Sequence, residues 1–510
     1  MAGPQEGDGY HEITEQQNQQ QTEYPARESF LGREYQFRSK VSVDRLPTPS
    51  HSSSTYYEIT KNVRRFALCA SLNSVNLGYD IGVYTGASDL IQDDLGLSDT
   101  ELEIFIGSVN VFAMIGTVMS ALVSEWWGRR TTFIASGFIF LVGCIVTALA
   151  EDYLTLMTGR FFVGIGVGCG LAIDPMYISE ISPPEHRGYL VTWSEFSINI
   201  GIVVGFLSFL VYAPLRDSLQ WRIMVVTGVV MPIIMIYLSY SVIPESPQWL
   251  VQEGKIDEAK TVLKKLYPEG TDIEELLESI KRSLEEEEIV KKNVGWDAIF
   301  KPTPAVKRML VVGLGTAIGQ QATGIDAIQY YMIEILEDVG IEGDYEQASW
   351  LILIGVLKVV VIFYAALNLD KFGRRFLLQA STFGMMISCI ILSFNFYLEE
   401  YPSVTIIGLI FYMTSFSLGM GPVAWLLPSE IFFTTIRPKA MSLATFTNRT
   451  FAALMASTVL TAEDTVGWGS YFLILAIICA LFLVRTFETA SYDRVKKQFG
   501  KWSFLIITVL

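Results

Sequence analysis

The chain has 510 residues, of which 51% are hydrophobic and only 18% are charged, and long apolar blocks recur from Phe66 to Arg485. A helix needs about 20 apolar residues to cross a bilayer, so this pattern excludes a soluble enzyme, a coiled coil, a disulfide scaffold and a membrane β-barrel. The formal net charge of −16 argues against a nucleic-acid partner.

The first 60 residues are polar and predict a disordered tail, because they bury too little apolar surface to order themselves. No basic segment followed by an apolar stretch and a cleavage site precedes the blocks, so we expect no signal peptide. The blocks predict an all-α membrane protein with twelve transmembrane helices in two six-helix halves. The predicted spans are 65–87, 105–124, 131–150, 154–178, 190–212, 222–243, 308–332, 348–369, 375–397, 404–427, 440–461 and 468–486.

The predicted organisation has five parts. They are a cytoplasmic tail at 1–60, a first half at 61–243, a cytoplasmic helical linker at 244–307, a second half at 308–487 and a short cytoplasmic tail at 488–510. Lys and Arg concentrate in the connections on one side of the predicted bundle, which predicts that this side, with both termini, is cytoplasmic. The cysteines lie inside apolar blocks and the histidines outside them, so we expect buried thiols, no metal site and no cofactor.

Three charged motifs occur twice, in the same order and at nearly the same offset. Glu125–Arg130 recurs as Asp370–Arg375, and the Glu180/Arg187 pair and Glu245 recur as well. Such duplicated halves are how secondary transporters build a central site. The motifs form a charge lattice of Glu125, Arg129, Arg130, Glu180, Arg187 and Glu245 in the first half and Asp370, Arg374, Arg375, Glu430, Arg437 and Glu488 in the second.

The charge lattice has two interpretations. It is either a latch that holds an outward-facing state and breaks for inward opening, or ordinary positive-inside topology combined with helix caps. The duplication at equal spacing favours the latch.

Asp80 lies well inside the first predicted span, and Arg160 opens the fourth. A lone carboxylate in the membrane is costly, so it needs a partner or a proton. If the two helices touch, their relative motion changes the proton affinity of the acid, as proton coupling requires. A purely structural ion pair is the alternative, and the transporter architecture favours coupling.

The seventh predicted span is interrupted by Gln320-Gln-Ala-Thr-Gly-Ile-Asp326. The adjacent amides of Gln320 and Gln321, close to Asp326, suit neighbouring hydroxyl groups on a sugar or polyol, although interhelical hydrogen bonding would also explain them. We expect a helix break at Gly324. Trp425 follows a Gly-Met-Gly-Pro break in the tenth span, where its ring can stack on a carbon chain.

Further polar residues fall inside the predicted spans. Glu195 and Lys358 must face the bundle interior, where they pair with each other or with a solute. Asn448 and Arg449 lie together in the eleventh span, and neither Arg449 nor Asp174 receives a role from the sequence.

These motifs together resemble the sugar porter family of the major facilitator superfamily, from Phe66 to about Glu488. Within it the chain is most similar to plant-type polyol/monosaccharide proton symporters. The resemblance implies that Asp80 carries the proton with Arg160 as its partner. It also implies a substrate site of Glu195, Gln320, Gln321, Asp326, Trp425 and Asn448, with Lys358 as a buried charge partner. One departure is the second Pro-Glu-Thr-type motif, which is degraded to Phe487-Glu-Thr-Ala490.

The sequence therefore predicts a carrier, not an enzyme, that moves a sugar or polyol together with protons by alternating access. Its predicted partners are the small solute, protons and the lipid bilayer, and we expect a functional monomer, with the plasma membrane as the default location. Two alternatives stay open: a passive facilitator and a sugar receptor that signals without transporting.

Overall fold

The computed structural model describes residues 59–183, 186–293, 297–302, 304–398, 401–432 and 436–496. All regular secondary structure within these ranges is helical. The predicted tail at 1–60 lies almost wholly outside them, as do the last residues of the tail at 488–510.

The first half consists of seven helices: α1 Lys61–Leu95, α2 Asp99–Trp127, α3 Arg129–Ala148, α4 Tyr153–Ile181, α5 Arg187–Tyr212, α6 Asp217–Thr227 and α7 Val230–Ser241. Side chains that accept hydrogen bonds from first-turn N–H groups cap three of them: Thr60 at α1, Ser98 at α2 and Asp152 at α4. Helices α6 and α7 follow each other closely and form one apolar segment, Asp217–Ser241.

The linker supplies α8 Pro247–Gln252, α9 Ile256–Leu266, α10 Ile273–Asn293 and α11 Asp297–Phe300. The apolar face of α9 packs with residues of α1 and α4 in one buried cluster. The Thr60 hydroxyl and the Asn62 amide donate to the last carbonyls of α9, at Leu266 (2.8 Å) and Lys265 (2.9 Å). The linker is therefore docked on the first half. We call this end of the bundle the linker end and the opposite end the far end.

The second half contains nine helices: α12 Pro304–Ala322, α13 Ile325–Tyr330, α14 Met332–Glu337, α15 Asp344–Phe372, α16 Arg374–Leu398, α17 Pro402–Leu418, α18 Met420–Ile431, α19 Arg437–Ala456 and α20 Val459–Lys496. The break predicted at Gly324 is present, since this residue has a φ of +95° that only glycine adopts easily. A second break, at Gly419, separates α17 from α18.

Nine segments of the described chain are long and apolar enough to cross a membrane. The first, seventh and eleventh predicted spans are not among them. Helix α1 carries Asn73, Asn76 and Asp80, the seventh span is divided over α12, α13 and α14, and α19 carries Asn448 and Arg449. Polar side chains that face a bundle interior lower the mean hydropathy without preventing a helix from spanning, and the count of twelve stays a prediction.

Small residues bring the helices together. Helices α1 and α5 approach through Gly78, Gly82, Gly201 and Gly205, where an added Cβ would meet backbone atoms of the other helix. All five cysteines are free and buried, as predicted. The halves touch along several helix pairs, chiefly α5 with α15 and α2 with α19, and also α1 with α13 and α2 with α20.

Candidate functional site

Asp80 and Arg160 form a buried ion pair in the first half. The Nη1 atom of Arg160 lies 2.9 Å from Oδ1 and 3.0 Å from Oδ2 of Asp80. Arg160 has no exposed surface and Asp80 is 4% exposed. The two residues predicted to pair are therefore brought together, on adjacent helices α1 and α4.

The arginine is held independently of the acid. Its Nε and Nη2 donate to the carbonyls of Phe105 (3.3 Å) and Ile106 (3.4 Å) on α2, and its guanidinium lies 4.2 Å from the ring centroid of Tyr84. Protonation of Asp80 would remove one charge of the pair and leave the cation anchored on α2.

The side chains of Gln320, Gln321 and Asn448 form an amide cluster at the break in the second half. The Asn448 amide nitrogen donates to Gln320 Oε1 (2.9 Å) and to the Ala317 carbonyl (2.8 Å). Gln320 Nε2 donates to the carbonyls of Met420 (3.4 Å) and Gly421 (3.3 Å), just beyond the Gly419 break. The predicted amides thus contact irregular backbone in the bundle interior.

Charged side chains surround the amide cluster. Lys358 on α15 is 6% exposed and donates to Gln329 Oε1 at 2.6 Å. Glu195 and Asp326 both lie within electrostatic reach of Lys358 and Arg449. Two acidic and two basic side chains therefore lie within electrostatic reach of one another between the halves.

A cavity of about 170 Å³ opens at the seam of α5 and α15, on the linker side of the bundle. Glu195 lines it together with Trp193, Phe196, Ile362 and Phe363. The amide cluster, Asp326 and Trp425 do not line it. Trp425 lies partly buried on α18, three residues after Pro422, which does line the cavity.

Asp174, to which the sequence assigns no role, is fully buried in α4. Its carboxylate accepts hydrogen bonds from the Asn73 amide (2.9 Å) and the Ser74 hydroxyl, both on α1. It therefore joins the same two helices as the Asp80–Arg160 pair, through neutral partners.

The charge lattice of the first half is closely connected. Arg129 holds Glu180 through Nη2 (2.7 Å) and Nε (2.9 Å), and the Arg129 backbone N–H donates to Glu245 at 2.8 Å. Arg130 donates to the Ser239 carbonyl at 2.7 Å, at the end of α7. The turn depends on Gly128, which has a φ of +87°.

The second half repeats part of this arrangement. Arg374 Nη2 lies 3.0 Å from Glu430 Oε1, and Arg375 donates to the Thr486 carbonyl at 2.8 Å. The side chains of Arg187, Asp370, Arg437 and Glu488 lie outside the described part of the structure. Glu125 is exposed, and its carbonyl accepts a hydrogen bond from Trp249 Nε1.

Two polar residues of the site are absent from the sequence-based set, namely Asn110 on α2 and Gln329 on α13. Arg449 Nη1 donates to Asn110 Oδ1 at 3.1 Å, across the two halves. The signal available in the sequence was an amide inside an apolar segment, which is costly unless it is paired.

The comparisons with known proteins agree with this geometry. The family model "Sugar (and other) transporter" matches residues 66–491. "Probable polyol transporter 4" from Arabidopsis thaliana is 37% identical over 83% of this chain and 81% of its own length, and "Putative polyol transporter 2" from the same plant is 36% identical over 86% and 91%. The solved structure of the proton:xylose symporter XylE bound to 6-bromo-6-deoxy-D-glucose, at 26% identity, superposes with a TM-score of 0.72 over 84% of this chain and 95% of that one.

Proposed function

The chain belongs to the sugar transporter family of the major facilitator superfamily, and from this membership we propose that it carries a small polyhydroxylated solute across a membrane in symport with protons. It is an integral, multi-pass membrane protein whose relatives are transporters rather than enzymes. We propose the plasma membrane as its location, with both termini in the cytoplasm.

The solute class is supported by the chemistry around the break in the second half. Amides donate and accept hydrogen bonds, while Glu195 and Asp326 accept and Lys358 donates, so together they match a row of hydroxyl groups. Trp425 offers an apolar ring face for the carbon chain. The relatives named as polyol transporters and as a xylose symporter favour a polyol or a monosaccharide.

Proton coupling rests on one observation, the burial of Asp80 against Arg160 at 2.9 Å. Taking a proton neutralises the carboxylate and loosens its attachment to α4, while the Phe105 and Ile106 carbonyls keep Arg160 in place. One attachment between α1 and α4 is then weakened while the bonds from Asn73 and Ser74 to Asp174 remain, so proton binding alters the packing of the first half around Asp80.

Alternating access is supported by contacts at the far end. Glu103 on α2 accepts from the Thr461 backbone N–H (2.9 Å) and hydroxyl (2.6 Å) on α20, and the Thr85 hydroxyl on α1 donates to the Gln329 carbonyl at 3.0 Å. These bonds hold the halves together at the far end, while the cavity lies on the linker side. With the linker end in the cytoplasm, this is a state that faces inward. The Arg129–Glu180 and Arg374–Glu430 pairs of the charge lattice are both formed in this state, each within one half. We propose that further contacts of the lattice, made between the halves, latch the opposite state.

The experiment is uptake of a labelled polyol or sugar into proteoliposomes with an imposed pH gradient, acidic outside. We expect the wild type to concentrate the solute. Asp80→Asn should equilibrate the solute and exchange it across the membrane without concentrating it, because the variant cannot carry the proton. Asp174→Asn is the matched control, since it makes the same change at a second buried acid whose hydrogen-bond partners in the described structure, Asn73 and Ser74, are neutral.

Three results would contradict the proposal. Concentration of the solute by Asp80→Asn would show that another group carries the proton. Wild-type uptake that ignores the pH gradient would indicate a passive facilitator. Solute binding without any uptake would indicate a receptor.

A further inference from the structure

Arg449 is a buried cation on α19 that the proposed mechanism does not use. It is 8% exposed, and its guanidinium offers five N–H donors in a planar fork. It donates to the side chains of both halves: Nε (3.1 Å) and Nη2 (2.7 Å) to Asn448 Oδ1, and Nη1 (3.1 Å) to Asn110 Oδ1.

The first consequence concerns the orientation of the Asn448 amide. Its oxygen accepts two charge-assisted bonds from Arg449, so its nitrogen must point to the Ala317 carbonyl and to Gln320 Oε1. Gln320 in turn directs its own nitrogen to the carbonyls beyond the Gly419 break. The guanidinium therefore sets the direction of donors and acceptors along this side of the amide cluster.

Gln321 joins the same arrangement. With its amide turned so that both polar atoms are satisfied, the oxygen accepts from Arg449 Nη2 at 3.3 Å and the nitrogen donates to Asp326 Oδ2 at 3.3 Å. All three amides of the cluster then depend on Arg449, two directly and Gln320 through Asn448.

The second consequence concerns the contact between the halves. Asn110 belongs to α2 of the first half and is 3% exposed. Its oxygen is held by Arg449, and its nitrogen has no acceptor among the described residues. Helices α2 and α19 pack closely beside this bond, as shown by the added Cβ at Gly107, which would lie 3.1 Å from the Ala453 carbonyl oxygen. The bond from Arg449 therefore crosses the seam that must separate when the far end opens.

From these contacts, and resting on the transport proposed above, we propose that Arg449 is a positioning residue that orients the amide cluster and ties it to Asn110 of the first half. A solute that rearranges the cluster then changes the bond between the halves, so that occupancy of the site affects the closure of the far end. The hydroxyl groups of a sugar or polyol, which both donate and accept hydrogen bonds, are the ligand groups that this arrangement would bind.

The test uses the full chain in proteoliposomes, with Arg449→Met, Asn110→Ala, the double variant and Arg449→Lys. Thr447→Val is the control, because among the described residues the Thr447 hydroxyl bonds within its own helix, to the Leu443 carbonyl (2.8 Å). Solute affinity and maximal exchange rate are measured separately, and size-exclusion profiles establish folding.

We expect Asn110→Ala to lower the maximal exchange rate about tenfold with little change in affinity, and Arg449→Met to lower both. The double variant should be no slower than Arg449→Met, because both changes remove the same bond, the one between Arg449 and Asn110. Arg449→Lys should not restore the rate, because an ammonium lacks the planar fork that holds Asn448 and Asn110 together. Independent, multiplicative losses, or full rescue by lysine, would overturn the inference.

A second measurement does not depend on transport. Spin labels at Thr100→Cys and Glu342→Cys, exposed far-end positions in opposite halves, report the separation of the halves without solute. Arg449→Met and Asn110→Ala should each shift the distances to longer values, and unchanged distances would overturn the inference. Absence of wild-type uptake together with these shifts would contradict the proposed function alone.

Discussion

In the first half, Arg129 holds Glu180 with side chains that are only 12% and 7% exposed, whereas in the second half Arg374 holds Glu430 with side chains that are 29% and 33% exposed. The first pair also lies beside Glu245, which accepts from the backbone N–H groups of Arg129 and Arg130. Removing one partner of an ion pair lowers the free energy of unfolding more when the pair is shielded from water. The two copies of the motif should therefore contribute differently to stability.

The turn that carries each arginine shows the same difference. Gly128 and Gly373 have φ values of +87° and +79°. A Cβ on Gly128 would clash with the Glu245 carboxylate, while a Cβ on Gly373 would meet no atom of the described residues within 4 Å. Both copies thus share the backbone requirement, and within the described part of the structure the acid packed against this turn is Glu245 of the first copy.

The largest effect should come from Gly128→Ala compared with Gly373→Ala. Both variants place a side chain in a backbone region that costs about 1–3 kcal/mol. Only Gly128→Ala also displaces Glu245, so it should lose about 1–3 kcal/mol more, the cost of unpaired buried polar groups. Thermal unfolding in detergent measures the difference, and equal losses would contradict a special role for Glu245.

A smaller effect is expected from Glu180→Gln compared with Glu430→Gln. The first should destabilise the protein by about 2–3 kcal/mol, because it weakens charge-assisted hydrogen bonds in a partly buried site. The second should cost about 1 kcal/mol or less, as exposed pairs do. The same unfolding assay at low and high salt tests this, since only the Arg374–Glu430 pair should be strongly screened. A larger loss for Glu430→Gln would reverse the comparison.

The smallest effect concerns pH. Burial raises the pKa of the Glu245 carboxyl, an effect that the N–H groups of Ser246, Arg129 and Arg130 partly offset. The folded state then binds this proton more tightly than the unfolded chain, so acidification towards the raised pKa adds stability and a rising pH removes it. Glu245→Gln should lose this dependence, while Glu253→Gln, an exposed control, should keep it. A wild type that gains stability at this site as the pH rises would contradict the assignment.

The sequence predicted the Asp80–Arg160 contact because a charge inside an apolar segment is costly unless an opposite charge pairs with it, and these two charges can pair with each other. It also predicted the break at Gly324, because glycine beside polar residues in a span indicates irregular backbone. It did not predict Asn110 or Gln329, because one amide in an apolar helix does not reveal which neighbour satisfies it. Likewise, the sequence predicted Glu195 or a solute as the partner of Lys358, whereas in the structure Lys358 donates a hydrogen bond to Gln329.

The order of charges and apolar blocks was sufficient by itself to predict the membrane class, the two halves and the family resemblance. These properties depend on the free-energy cost of polar groups in lipid. That cost is a property of each segment and does not depend on which other segments it contacts. The tertiary structure alone decided that Arg449 reaches across to Asn110, that Asp174 is held by Asn73 and Ser74, and that the first Arg–Glu pair is covered while the second is open. These contacts join segments that are distant in the sequence. The same side chains could satisfy their hydrogen bonds and charges in several other arrangements of the helices, so the sequence alone does not select this one.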